Sequence, residues 1–445
     1  MTELPVVVVG AGPIGLAAAA ELRERGLTPL VFERGDTAGA AVAQWNHVRV
    51  FSRWAELVAP AARRLLETTD WSAPDADTYP TGREWVGAYL SPLANALGDI
   101  VQLNSEVVGI ARRGRDRVVD AGRDSEPVSV HIRRADGTEA RFLARAVIDA
   151  SGTWGTPNPL GGEGLPALGE SASVAVIAYR VPDLGDETVR ARYAGKHTVI
   201  AGSGHSALTA IIALAELAKS TPGTRISWVL RRGEVGSTFG GGDADELPAR
   251  GALGLRAGHA LDAGLLDVAT GFRTAAIESS GAHYALVSDA GARIEDVDQV
   301  VVLTGFRPEL SWLSEIRLAL DPVLQAPVEL APLIDPNVHS CGTVYPHGVK
   351  ELSHPEPGVF LAGMKSYGRA PTFLAMTGYE QVRSIAAALA GDHESAARIE
   401  LTLPETGVCG GAGVFDDSNA TAGSGGCCAA PEPQLITLGV ASAGV

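Results

Sequence analysis

The chain has 445 residues, 46% of them hydrophobic, four cysteines and a formal net charge of −16. That length suits two or three domains with ample core, and the acidity, with no basic stripe, excludes a nucleic-acid partner. No apolar run reaches the roughly 18 residues of a membrane span, and so few cysteines make no secreted disulfide framework, so a soluble protein of the reducing cytoplasm is expected.

The first predicted strand is the β-branched run Pro5-Val6-Val7-Val8-Val9, which ends in Gly10-Ala11-Gly12-Pro13-Ile14-Gly15. A helix from about Ile14 to Arg25 follows, Gly26 stops it, and Thr28 to Phe32 reads as the second strand. Glu33 closes that strand about 20 residues after the glycines, where an acid can bind ribose hydroxyls. Such a turn lets backbone approach a pyrophosphate closely, and the uncapped helix N-terminus attracts its charge. Gly10, Gly12, Gly15 and Glu33 are therefore candidate cofactor contacts. A secretory signal peptide fits less well, because Thr2 and Glu3 supply no basic n-region and glycines interrupt the apolar stretch.

Further along, Val128 to Ile132 alternates as a strand and Asp136-Gly137 signals a hairpin turn. Residues 146–152 form a buried strand ending in a glycine turn at Gly152, and Pro157-Asn158-Pro159-Leu160-Gly161-Gly162 is a breaker cluster suited to a domain crossover. The strand His197-Thr198-Val199-Ile200-Ala201 leads into a second fingerprint, Gly202-Ser203-Gly204-His205-Ser206-Ala207. Its next strand, Arg225 to Leu230, ends in Arg231-Arg232 with no acid; arginines there either pair with a 2′-phosphate, favouring NADPH over NADH, or are solvated surface charges. Val300 to Gly305 and Gly358 to Gly363 each read as a strand with a glycine turn, and a helix runs from about Phe373 to Leu389.

Two fingerprints in one chain suggest two nucleotide cofactors and electron transfer between them. The expected fold class is α/β: two Rossmann-like, three-layer FAD/NAD(P)-binding domains, the second inserted in the first. The expected divisions are residues 1–158 for the first part of the FAD domain, 159–318 for the NADPH domain, 319–403 for the second part of the FAD domain, and 404–445 for a flexible glycine- and alanine-rich tail.

The order of these motifs resembles the class B flavoprotein monooxygenases over about residues 4–392. The marks are Gly10 to Gly15 with Glu33, Asp149 to Trp154, Gly202 to Ala207, Thr304-Gly305-Phe306-Arg307-Pro308, and Gly363 with its helix. Trp45 to Ser52 and Tyr79 to Gly82 are similar to segments those enzymes lay against the flavin. The resemblance implies FAD on Gly10 to Gly15 and NADPH on Gly202, Gly204 and Ala207, with hydride passed to the flavin and one oxygen atom transferred to a soft nucleophile or a carbonyl. It implies no catalytic triad. Arg49 and Arg369 are the candidate catalytic cations, with surface ion pairing as the alternative for both, and Trp45 is a candidate wall of the flavin site. Two marks depart from the family. The F-x-G-x-x-x-H fingerprint is replaced by Val176 to Asp183, and the final Gly-Asp pair is Gly363-Met364. No C-x-x-C or C-x4-C stands beside the first fingerprint, as the disulfide reductase branch would require, and Cys341 is isolated.

Cys409, Cys427 and Cys428 lie within the tail among glycines and alanines. Three thiolates without a neighbouring histidine suit a soft, three-coordinate ion better than tetrahedral zinc. The adjacent pair also suits a redox disulfide, and an inert tail is the third reading. A flavoprotein body with such a tail resembles the flavoproteins encoded with arsenic-resistance genes, which implies a trivalent metalloid partner. Three functions stand at this point: an NADPH- and FAD-dependent monooxygenase on a small soft substrate, a reductase relaying electrons through tail cysteines, and a metalloid-binding flavoprotein. Homo-oligomerisation is left open.

Overall fold

The structure is a computed structural model that describes residues 4–245, 247–338, 346–371 and 373–401. Two parallel sheets dominate it. The first has the strand order Val359–Leu361, Ala146–Asp149, Val6–Val9, Pro29–Phe32, Val101–Gln102. The second has the order Asp267–Ala269, Arg225–Val229, His197–Ala201, Gln299–Val302, Ile177–Ala178. All pairings within both are parallel. Every strand of the second sheet falls between Asp149 and Val359, so the chain leaves the first sheet, builds the second and returns.

The parallel strands are apolar throughout because helices cover them. Val6 to Val8 are fully buried. Helix Pro13–Glu24 lays Leu16 to Ala20 and Leu22 into one core with Val382, Ile385 and Ala386 of helix Ala375–Leu389. Helix His205–Ser220 does the same on the second sheet with Leu208, Ile211 and Leu214. Each parallel sheet carries an antiparallel three-stranded meander, Ser105–Arg112 to Glu139–Ala144 on the first and Thr274–Ser280 to Arg293–Val297 on the second.

Buried charge ties the meander to the returning chain. Glu356 Oε1 accepts Arg112 Nε at 2.6 Å and Glu356 Oε2 accepts Arg123 Nη2 at 2.7 Å. The two guanidiniums hold the Glu356 carboxyl below its ordinary range although its burial pushes the other way. Leu313 and Ile316 already pack into this side of the first domain. The outgoing and returning crossovers run side by side, where Pro157 bridges Phe306 and Asn158 Nδ2 donates to the Thr304 carbonyl at 2.8 Å.

Candidate functional site

Each fingerprint ends a buried strand and opens a helix that has no side-chain cap and no acid in its first turn. The closest approaches need glycine. Gly10 sits at φ +98°, and a Cβ on Gly15 would stand 1.9 Å from the Gly10 carbonyl oxygen. A Cβ on Gly202 would stand 2.3 Å from the Leu303 carbonyl oxygen. The middle glycines are different: a Cβ on Gly12 or Gly204 would meet nothing within 4 Å. Both loops are thus packed behind and open in front, a cradle for an anion at a helix N-terminus.

Glu33 is beside the first cradle. Its Oε2 accepts the Ala11 N–H and its Oε1 accepts the Gly35 N–H, both at 2.8 Å. The carboxylate therefore sits at the strand end next to the loop.

One cavity of about 1080 Å³ joins the two domains. That is slightly above the range of ordinary ligand pockets, roughly 300–1,000 Å³. Gly10, Gly12, Glu33, Trp45, Arg49, Gly152 and Gly363 line it from the first domain, and His205, Ser206 and Thr209 from the second. Helix Pro248–Asp262 adds Ala249, Ala252, Leu253 and Arg256, a helical face of small and apolar groups with one cation. Aromatic rings wall it: Trp154 and Phe306 lie 4.9 Å apart, and Arg180 stacks 4.6 Å over Trp154.

The predicted residues divide. Arg49 reaches the cavity, half in solvent, donating to the Tyr79 carbonyl and lying 3.8 Å from Glu84. Arg369 does not: it is exposed, absent from the cavity's lining, and its Nε donates to Gln325 Oε1 at 2.9 Å. The turn at Gly368, φ +58°, sends it outward. Arg231 and Arg232 do not line this cavity either; Arg231 Nη1 donates to the Gly162 carbonyl at 3.2 Å. Ala207 is fully buried in the second domain's core, the helix-packing role of a third glycine position. Cys341, Cys409, Cys427 and Cys428 lie outside the described residues. Among the described residues no group of three His, Cys, Asp or Glu side chains is set to hold a metal, and no helix is long and apolar enough to cross a membrane.

Sequence reasoning missed a buried charge pair behind the cavity wall. Lys365 Nζ lies 2.6 Å from Asp149 Oδ2, and both side chains are 0% exposed. The same ammonium stacks 4.6 Å over Trp312 and donates to Ser151 Oγ at 3.1 Å. The one available signal was a rare lysine in the apolar stretch after Gly363. Also missed was His205, whose ring lies 5.1 Å from Phe51 across the cavity. Burial first, then Arg250, holds this imidazole below its ordinary range and so neutral at neutral pH.

The comparisons agree with this architecture. The family model described as "Pyridine nucleotide-disulphide oxidoreductase" matches residues 7–329. Among curated relatives, the indole-3-pyruvate monooxygenase YUCCA1 of Oryza sativa subsp. japonica is 30% identical over 203 residues, 45% of this chain and 43% of that protein. The indole-3-pyruvate monooxygenase YUCCA6 of Arabidopsis thaliana is 27% identical over 206 residues, with 45% and 43% covered. The matches thus span less than half the length of those relatives. Among solved structures, the bacillithiol disulfide reductase Bdr (YpdA) from Bacillus cereus superposes with a TM-score of 0.63 at 19% identity, covering 88% of this chain and 99% of that one. DfoA from Erwinia amylovora, a cadaverine monooxygenase bound to FAD, gives 0.63 at 12% identity with 91% and 98% covered. A flavin monooxygenase from Stenotrophomonas maltophilia gives 0.55 at 21% identity with 88% and 99% covered. These likenesses establish the fold. With the family model matching well over half of its length, the chain belongs to the pyridine nucleotide-disulphide oxidoreductase family.

Proposed function

We propose that this protein is an NADPH-dependent flavoprotein monooxygenase acting on a small soft substrate. One observation carries the reading: a single cavity is lined by Gly10 and Gly12 of the first cradle and by His205 and Ser206, which directly follow Gly204 of the second, so two dinucleotides bound at the cradles would meet in one space. The bound cofactors supply hydride transfer and oxygen chemistry. The chain's own residues supply placement. Gly12 and the N-terminus of Pro13–Glu24 take one pyrophosphate, Glu33 the adjoining ribose, and Gly204 with helix His205–Ser220 the second pyrophosphate. Trp45, Phe51, Phe306 and Phe373 line the space and exclude water. Arg49 is a cation at its rim, and Arg34 and Arg256 also line it. Arg231 and Arg232, at the end of the strand beside the second cradle, are the groups assigned to a 2′-phosphate, with Arg231 exchanging its Gly162 contact for it.

A monooxygenase rather than a dithiol reductase is favoured by the absence of a paired-cysteine motif near the first cradle. The curated relatives carry monooxygenase names over the part of the chain they match. Thiophilic substrates such as trivalent organoarsenicals belong to this proposal, because three of the four cysteines fall in residues 409–428. The test is NADPH oxidation by the full chain with and without oxygen. Oxygen uptake matched to NADPH, with an oxygenated product from a soft nucleophile, supports the reading. NADPH consumption that is independent of oxygen and lost in C427A or C428A replaces it with a reductase.

A further inference from the structure

We infer that the Ser151 hydroxyl, held by the Lys365–Asp149 pair, is the acceptor for a polyol hydroxyl of the flavin half of FAD. This rests on the FAD reading and adds a residue to it.

Topology sets where the flavin half goes. A pyrophosphate on the Gly12 cradle lies at the end of Val6–Val9, and Glu33 places a ribose at the end of Pro29–Phe32, one strand to one side. The rest of the dinucleotide must run to the other side, over the ends of Ala146–Asp149 and Val359–Leu361. There the cavity is lined by Ala150, Ser151, Gly152, Gly363 and Met364. Two of these are glycines, one is alanine and Met364 offers only a weak sulfur acceptor. Ser151 is the oxygen-bearing side chain among them.

Its hydroxyl is oriented before any ligand arrives. Ser151 Oγ donates to Asp149 Oδ1 at 2.6 Å and accepts from Lys365 Nζ at 3.1 Å. The proton is thereby committed to Asp149, one lone pair to Lys365, and the second lone pair is left for the cavity. Ser151 is thus an acceptor, and a polyol chain, which is rich in O–H donors, is the matching ligand. The Lys365–Asp149 pair sits in a rigid frame: Gly363 N–H donates to Gln381 Oε1 at 2.7 Å and Gln381 Nε2 donates to Ser366 Oγ at 2.9 Å, with Gln381 and Ser366 fully buried. Lys365 and Asp149 are positioning residues here, and Ser151 is the contact. Thr153 and Glu309 also line the cavity with side-chain oxygens, and Glu309 Oε1 already accepts the Ser311 N–H at 2.7 Å.

The test pairs a protein deletion with a ligand deletion. Full-length apoprotein is titrated with FAD and with FAD analogues lacking single ribityl hydroxyls, and Kd is read from the change in flavin fluorescence. Wild type is expected to bind one analogue roughly three- to tenfold more weakly than FAD, the size of one net hydrogen bond. S151A is expected to bind that analogue and FAD equally, with K365M narrowing the difference and K365R keeping more of it. S151A that still discriminates overturns the assignment. Discrimination lost in E309A or T153V but kept in S151A also overturns it and moves the acceptor to that residue. Wild type that binds no FAD overturns the flavoprotein reading itself and is seen in the same titration.

Discussion

Phe51 and His205 meet across the cavity with ring centroids 5.1 Å apart and planes tilted by 52°. One ring comes from a segment of the first domain, the other from the first residue of the helix on the second fingerprint. The contact therefore joins the two sides of the cavity. Removing either ring should loosen the same joint, so F51A and H205A should be non-additive. A double-mutant cycle on urea unfolding should return a coupling of roughly 0.5–1.5 kcal/mol. Strict additivity would show that the rings are neighbours without interaction.

Gly12 and Gly15 belong to one motif and should fail in different ways. A Cβ at Gly12 meets nothing within 4 Å, so G12V should fold with normal far-UV circular dichroism and purify without bound flavin. A Cβ at Gly15 lies 1.9 Å from the Gly10 carbonyl oxygen, so G15A should lose about 3 kcal/mol or more of stability. A yellow G12V protein would remove the first cradle from cofactor binding.

What the sequence makes legible here is local. Strand, glycine turn and helix lie within a few residues of one another, so both cradles and Glu33 are readable from spacing and chain chemistry alone. Termini are readable to a residue or two: a helix expected from Ile14 to Arg25 runs Pro13–Glu24. The strand expected through residue 152 stops at Asp149 because that carboxylate turns back onto the Ser151 N–H at 3.0 Å. Direction and long range are not legible. Nothing local shows that Arg369 turns to Gln325 and away from the cavity. Lys365 and Ser151 are separated by 214 positions, so their contact exists only once two strands of the first sheet are paired.

That pair makes its own prediction. Replacing Lys365 by methionine leaves the Asp149 carboxylate buried without its cation, which should cost roughly 3–5 kcal/mol. Neutralising both, as D149N with K365M, should recover most of the loss, because the amide oxygen can still accept from Ser151. Guanidinium unfolding of the three variants checks this. A double variant no more stable than K365M would mean that the lysine's packing on Trp312, and not the charge balance, sustains the fold.

Arg231 bears on nucleotide choice. If it exchanges the Gly162 carbonyl for a 2′-phosphate, R231A should raise the KM for NADPH by roughly ten- to hundredfold, the worth of a charge-assisted contact. The KM for NADH should move much less, and R232A should reinforce the trend. Equal effects on both nucleotides in steady-state kinetics would show that these arginines do not read the phosphate.

Glu21 sets a pH dependence that is separate from catalysis. It sits in helix Pro13–Glu24, 5% exposed, with Arg25 only 3.6 Å away. Burial outweighs that cation and raises its pKa from 4.5 to about 7. Between those values the folded state holds a proton that the unfolded chain has released, so wild-type stability falls as pH rises through this window. Glutamine keeps the shape and cannot ionise. E21Q should therefore match wild type most closely below pH 4.5 and gain on it progressively up to pH 7, by roughly 3 kcal/mol at the top of the window. Denaturant unfolding at a series of pH values reads the difference directly. A constant offset between the two proteins would mean that Glu21 titrates alike in both states and that Arg25 fully offsets its burial.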